Sequence, residues 1–255
     1  MKNPLTLEER AVVGQAFTHD FNGILSVLSN LFNIRRLGKT LSFPMEVEAS
    51  HLNHLHITSN AVAYLSSPRI EYLSPITEND IRHVRDVISM KGVDNTAFSW
   101  DLRVKIQTVP ELIQTALYCL ARNSSNVADK SQLSIQISAN EFNGRIPNLV
   151  YRCPIIPESA LEGQFLTLLR SLHISDIAYY PTEGHFGVFS VHDNGQGFPR
   201  DRPLADFLKP DVSTSGGGFG LYYVTLVCKY LRSHLAIDSQ PGNTTVSIYH
   251  PLNLT

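Results

Sequence analysis

Apolar residues keep one spacing in the first part of this chain and adopt others after about residue 78, and that change of period limits the fold more than any single residue does. Val13, Phe17, Ile24, Leu28 and Leu31 recur at three-, four- and seven-residue intervals, the period of one helical face. The spacing predicts a helix over residues 5–36. GKTLSFP at 38–44 breaks it, and MEVEASHLNHLHITSNAVAYL resumes a helical pattern to about residue 65. Two such helices make a hairpin that buries little surface alone and pairs with a second copy as a four-helix bundle, so a homodimer is expected. SSPRIEYLSP, with its prolines, reads as a linker. Beyond it, IRHVRDVISM, ELIQTALYCLARNSSNVA and LYYVTLVCKYLRSH read as helices, and QLSIQIS, GVFSVHD and TTVSIYH as strands. The expected fold class is α+β. Residues 1–68 form the helical hairpin, 69–77 the linker, and 78–255 an α/β sandwich. Residues 141–186, with apolar VYRCPII and a helix predicted at QFLTLLRSLH, read as an elaboration apolar enough to need burial and therefore order.

A chain of 255 residues at 43% hydrophobic content can bury one large core or two smaller ones. Its net charge of −2, from 21 basic and 23 acidic residues, gives no electrostatic case for nucleic acid or anionic lipid. MKNPLTLEER lacks an apolar signal core, and no apolar run approaches the ~18 residues of a membrane span, so a soluble cytoplasmic protein is expected. Cys119, Cys153 and Cys228 are odd in number and widely spaced, which suggests reduced thiols packed as small hydrophobes. His51 and His54 share a helical face in HLNHLH, yet no cysteine or carboxylate cluster completes a tetrahedral shell; a polar helix face is expected there, not a metal.

Within the first helix, stepping about 100° per residue from Ile24 puts His19 about 140° from the centre of the apolar stripe, on the solvent side. Asp20 falls nearer the stripe, where an unpaired carboxylate is costly, so it asks for a partner or a function. The bland alternative is a surface histidine beside a partly covered aspartate. Three later stretches bear chemistry. In LYCLARNSSN, Asn123 sits late on a helix with its amide free to ligate an oxygen-loving cation such as Mg²⁺. In VHDNGQGFP a strand ends at Asp193, whose carboxylate can accept a hydrogen bond from an exocyclic amine, while Gly195 and Gly197 let the backbone turn and approach a flat ligand. In STSGGGFGLYYVTLV, Gly216, Gly217, Gly218 and Gly220 lead into an apolar helix whose first N–H groups suit phosphate. Singly, each also reads as an ordinary polar helix residue, a turn or a flexible lid.

Taken in order, these stretches resemble the sensor histidine kinases. FTHDFNGILSV resembles that family's phosphoacceptor box, ARNSSN its N box, DNGQG its first glycine box and GGGFGL its second. PGNTTVSIYHPL resembles the closing strand, with Gly242 and Thr244 in the Gly-x-Thr positions. The resemblance covers the chain apart from residues 141–186. It implies a dimerisation and histidine-phosphotransfer hairpin followed by a Bergerat-type ATP-binding domain. It implies His19 as phosphoacceptor, Asp20 as the neighbour that takes its proton or fixes its tautomer, Asn123 as Mg²⁺ ligand and Asp193 as reader of adenine. Gly195, Gly197, Gly216, Gly218, Gly220 and Thr244 complete the implied nucleotide site. The implied activity is autophosphorylation of His19 from ATP, followed by transfer to an aspartate on a response-regulator receiver domain. Where the family often places an Asn four residues before its Mg²⁺-binding Asn, this chain has Cys119, and where a Lys, Arg or acidic residue commonly follows three positions later it has Asn126. Two further readings stay open: a histidine phosphotransferase with a vestigial ATPase half, and a nucleotide-gated interaction module without enzymatic activity.

Overall fold

The computed structural model describes residues 5–6, 9–11, 13–14, 45–66, 73–89, 93–94, 97–125, 133–155, 178–209 and 220–252, of which 45–51 and 66 in backbone only. Residues 9–11 and 13–14 of the expected first helix are helical and residues 5–6 are not; the other residues of that helix, and the helix expected at QFLTLLRSLH, lie outside the described residues. The elements in chain order are α1 (Met45–Ser66), β1 (Ser74–Pro75), α2 (Glu78–Ser89), β2 (Phe98–Leu102), β3 (Gln107–Thr108), α3 (Pro110–Ser125) and β4 (Ile135–Arg145). There follow β5 (Leu149–Tyr151), β6 (Glu183–Asp193), a 3₁₀ turn (Leu204–Leu208), α4 (Gly220–Tyr230), β7 (His234–Gln240) and β8 (Asn243–Pro251). The protein is thus mixed α+β, built on a six-stranded sheet of order β2-β4-β6-β8-β7-β5, parallel between β2 and β4 and antiparallel elsewhere.

Alternation along the strands gives the sheet two unlike faces, because successive side chains point to opposite sides. Ile135, Ile137 and Ala139 of β4, Phe189 and Val191 of β6, Leu235 and Ile237 of β7, and Val246 and Ile248 of β8 join the buried residues of the helices in the main core. The intervening positions belong to the other face. Near the Asp193 end of β6 they are polar: Ser190 meets Ser247 at 2.7 Å and His192 Nδ1 meets Thr245 Oγ1 at 3.0 Å across β6 and β8. At the opposite end they are apolar, and Phe186, Val188, Ala236 and Tyr249 close with Ile146 over a second, smaller cluster.

Two helical starts follow from side-chain caps. Thr77 donates from its N–H at 2.7 Å and from Oγ1 at 2.6 Å to Asp80 Oδ2, starting α2. At the N-terminal stretch, Thr6 N–H donates to Glu9 Oε2 at 2.7 Å while Glu9 N–H donates to Thr6 Oγ1 at 3.1 Å, a reciprocal capping box. α3 begins on Pro110, whose missing N–H costs nothing at a first helical position. Its buried Gln114 donates to the Asp80 carbonyl of α2 at 3.1 Å. α1 lies against both, with Ala61 and Leu65 wholly buried and the His54 ring packed 4.3 Å from that of Tyr118. His54 is therefore covered by the Tyr118 ring. Among the described residues no helix is long and apolar enough to cross a membrane.

Ten consecutive residues of the sequence expectation for the last helix, 221–230, hold; its final LRSH does not. α4 stops at Tyr230 because Arg232 takes a left-handed φ of 55°. Ser233 N–H then reaches the Cys228 carbonyl at 2.7 Å and Arg232 N–H that of Lys229 at 3.3 Å, the paired bonds of a Schellman ending. The chain leaves directly into β7. Around this ending lie buried thiols: burial pushes Cys153 up to about 12 and Cys228 well above its ordinary value, so both stay protonated. Cys119 is only half-buried.

Within residues 141–186 the described parts, 141–155 and 178–186, pair with the sheet or with each other. β4 runs on to Arg145 beside β6, β5 joins the sheet edge, and Pro154 pairs with Tyr179. His234, wholly buried, holds this stem: its Nδ1 accepts the Cys153 N–H at 3.1 Å, so the proton sits on Nε2, which faces the Pro181 carbonyl at 2.9 Å. Burial, against the opposing pull of that carbonyl, lowers the His234 pKa from its ordinary 6.5.

Two outcomes are expected. A methyl group on Gly187 would stand 2.7 Å from three carbons of buried Ile106, so Gly187→Ala should cost about 1–3 kcal/mol in urea unfolding, without changing the slope. For pH the sign follows from proton counts: with His234 depressed in the fold, the unfolded chain binds more protons below pH 6.5. Stability should fall as pH drops below that value, and part of the slope should vanish in His234→Gln even though that variant is weaker at pH 7.

Candidate functional site

The end of β6 is where the chain concentrates polar groups under cover. Asp193 is its last residue and is 7% exposed. Such a carboxylate needs donors, and it has one on each oxygen: Ser124 Oγ donates to Oδ2 at 2.7 Å and Gly195 N–H to Oδ1 at 2.8 Å. Ser124 lies in the last turn of α3, so this bond fastens the helix layer to the strand end. The register across the sheet puts Thr244 of β8 opposite Asp193, and Ser239 of β7 opposite Thr244. Thr244 is buried, with its hydroxyl 3.3 Å from that of Ser239.

The loop after Asp193 is laced to its surroundings by backbone groups. Ser134 N–H donates to Asn194 Oδ1 at 2.8 Å, Gly242 N–H to the Gly195 carbonyl at 2.8 Å, and Phe198 N–H to Ser239 Oγ at 2.8 Å. Gly197 takes φ of 74°, a region L side chains rarely enter. A Cβ there would also meet Ser239 Oγ at 2.8 Å and the Gln240 carbonyl at 3.2 Å. Gly195 serves by its N–H and carbonyl, and Gly197 by the absence of a side chain.

On the α3 side Asn123 is exposed. Its amide oxygen lies 3.4 Å from where a Cβ on Gly220 would stand, so this side chain rests against the first residue of α4. The structure thus brings Asn123, Asp193, Gly195, Gly197, Gly220 and Thr244 to one end of the α3, β6 and α4 layers. His19, Asp20, Gly216 and Gly218 lie outside the described residues. Ser124 and Ser239 were not assigned a role from sequence. Each is a lone serine in a polar stretch, and only the folded register shows what it touches.

The donor set suits a purine nucleotide. A held carboxylate accepts from an amine, close-packed glycine backbone admits a flat ring, and a helix N-terminus presents N–H groups to phosphate. A single neutral amide oxygen at Asn123 fits Mg²⁺, which keeps waters and takes most of its remaining ligands from phosphate. The Cys119 thiol one turn earlier does not. Among the described residues no group of three or more His, Cys, Asp or Glu could hold a metal.

No family model and no curated protein matches this chain. Solved structures do. Full-length ShkA, in complex with AMPPNP, aligns over 98% of this chain and 47% of its own, at 16% identity and a TM-score of 0.50. The histidine kinase domain of the blue-light activated histidine kinase of Erythrobacter litoralis aligns over 96% of this chain and 95% of its own, at 11% identity and a TM-score of 0.45. The Acinetobacter baumannii histidine kinase AdeS aligns over 92% and 98%, at 13% identity and a TM-score of 0.45. The likeness to ShkA is one of fold, a mixed α+β arrangement around the six-stranded sheet.

Gly197 offers a direct test of how tightly this end is built. Gly197→Ala must accept both an unfavourable φ and contact with Ser239, so it should lose about 1–3 kcal/mol in urea unfolding. Hydrogen exchange at the Phe198 amide, whose acceptor is Ser239 Oγ, should speed up with it.

Proposed function

We propose that this chain is an ATP-dependent protein histidine kinase of two-component signalling. The observation that carries the reading is Asp193: a buried carboxylate fixed by Ser124 and Gly195, opposite Thr244, beside a glycine-led helix start. In this reading Asp193 accepts from the 6-amino group of adenine, and Gly195 and Gly197 let the base approach the loop backbone. Thr244 adds a hydroxyl at the same strand end. The triphosphate lies toward Asn123 and the start of α4 at Gly220, with Gly216 and Gly218 closing over it. Mg²⁺, held in part by the Asn123 amide oxygen, would neutralise the triphosphate charge.

His19 on the N-terminal helix is the nucleophile. A lone pair of its neutral imidazole forms the N–P bond to the γ-phosphorus, the bond from that phosphorus to the β,γ-bridging oxygen breaks, and ADP leaves with the electron pair. Asp20 orients the ring and receives its proton, help typically worth ~10²–10⁴ in rate. The phosphoryl group then passes to an aspartate of a response-regulator receiver domain, restoring free His19. The working division is residues 1–68 as phosphotransfer hairpin and homodimer contact, and 78–255 as ATP-binding half, in the cytoplasm. The thiol of Cys119 in place of a second amide favours, as the competing reading, a phosphotransferase whose ATPase half has become a scaffold.

Incubation of the full chain with γ-labelled ATP and Mg²⁺ separates these. The expected result is acid-labile, alkali-stable label on His19, absent in His19→Ala although that variant still binds ATP, and absent in Asp193→Asn because it does not. Nucleotide binding without label points to an interaction module, and no nucleotide binding at all to the phosphotransferase.

A further inference from the structure

We infer that Ser124 is a positioning residue that sets base specificity at Asp193; this rests on the proposed ATP site. The hydroxyl has one hydrogen and two acceptors within reach, Asp193 Oδ2 at 2.7 Å and the Leu120 carbonyl, one turn back on α3, at 3.3 Å. A helical serine ordinarily gives its hydrogen to that carbonyl. Here the shorter bond to a charged acceptor takes it, since such bonds are about twice as strong as neutral ones.

Two consequences follow from the direction of that bond. With Gly195 N–H on Oδ1 at 2.8 Å, the carboxylate is held at both oxygens and cannot turn about Cβ–Cγ without breaking both contacts. Its remaining lone pairs keep one direction. And with its only hydrogen committed to Asp193, Ser124 has none to offer a ligand. The Ser124–Asp193 pair therefore presents acceptors alone. A base with a 6-amino group meets it with a donor; a base with a 6-keto oxygen brings an acceptor against an acceptor, leaving both unsatisfied, and is rejected. Burial sharpens the choice, as Ser124 is 9% and Asp193 7% exposed and water has little room to mediate. Removing the hydroxyl frees the carboxylate to rotate and admits a water that can donate to either base.

The test is titration calorimetry of the full chain, with MgCl₂, using ATP and inosine triphosphate, which differs at the 6-position. Wild type should favour ATP. Ser124→Ala should bind ATP about tenfold more weakly while inosine triphosphate changes little, so the ratio between the two contracts by a similar factor. Ser124→Thr should restore the ratio and Ser124→Val should not; that near-isosteric pair also decides the matter if the alanine variant does not fold. Equal weakening for both nucleotides would make Ser124 a merely structural residue, and an unchanged ratio would overturn the proposal while leaving the ATP reading intact. A wild type that binds neither nucleotide overturns the ATP reading and this inference with it.

Discussion

Helix α4 has almost no face left for water. Leu221 and every residue from Tyr223 to Tyr230 are buried, so each polar group on it must be answered inside the protein. Lys229 is the demanding one. Its ammonium lies 2.7 Å from both oxygens of Glu9, and Glu9 is the same residue that closes the capping box at Thr6. One carboxylate thus starts the N-terminal helical stretch and ties it to the least exposed helix of the core. Leu5 and Val13, buried on that stretch, complete the attachment. At its other end α4 begins at Gly220 against Asn123, and its ending turns straight into β7, which carries Ser239 to the Asp193 loop. The placement of the site therefore follows from how α4 is enclosed.

The parts of this arrangement legible in the sequence were those that change local composition or period. Glycines at 195 and 197 after an apolar strand, and an aspartate where the strand stops, mark a turn by themselves and gain meaning only in order with the neighbouring stretches. The helices α1, α2 and α3 appear as apolar spacings of three and four. β7 went unread for a physical reason: the usual glycine at the end of a helix is replaced by Arg232 in a left-handed conformation, so nothing in the letters marks where helix becomes strand. The short strands β1, β3 and β5 carry two or three residues each, too few to show alternation. β4 was foreseen but not its length, because Phe142 departs from the pattern of Ile135 and Ile137 to serve the second cluster. Ser124 was hidden differently: its partner is 69 residues away, and only the packing of α3 on β6 makes it more than a polar helix residue.

The stem that His234 secures has a consequence for how such a chain can vary. Ile155 N–H meets the Ala178 carbonyl at 2.7 Å and Tyr180 N–H the Cys153 carbonyl at 3.0 Å, so the two strands of chain are joined before residue 156 and after residue 177. Doubling the length of whatever a closed neck encloses adds only about 0.6 kcal/mol of closure entropy. This position is accordingly a natural graft point: one chain could carry a different segment here from the next, with the two ends of the neck held together by the same imidazole.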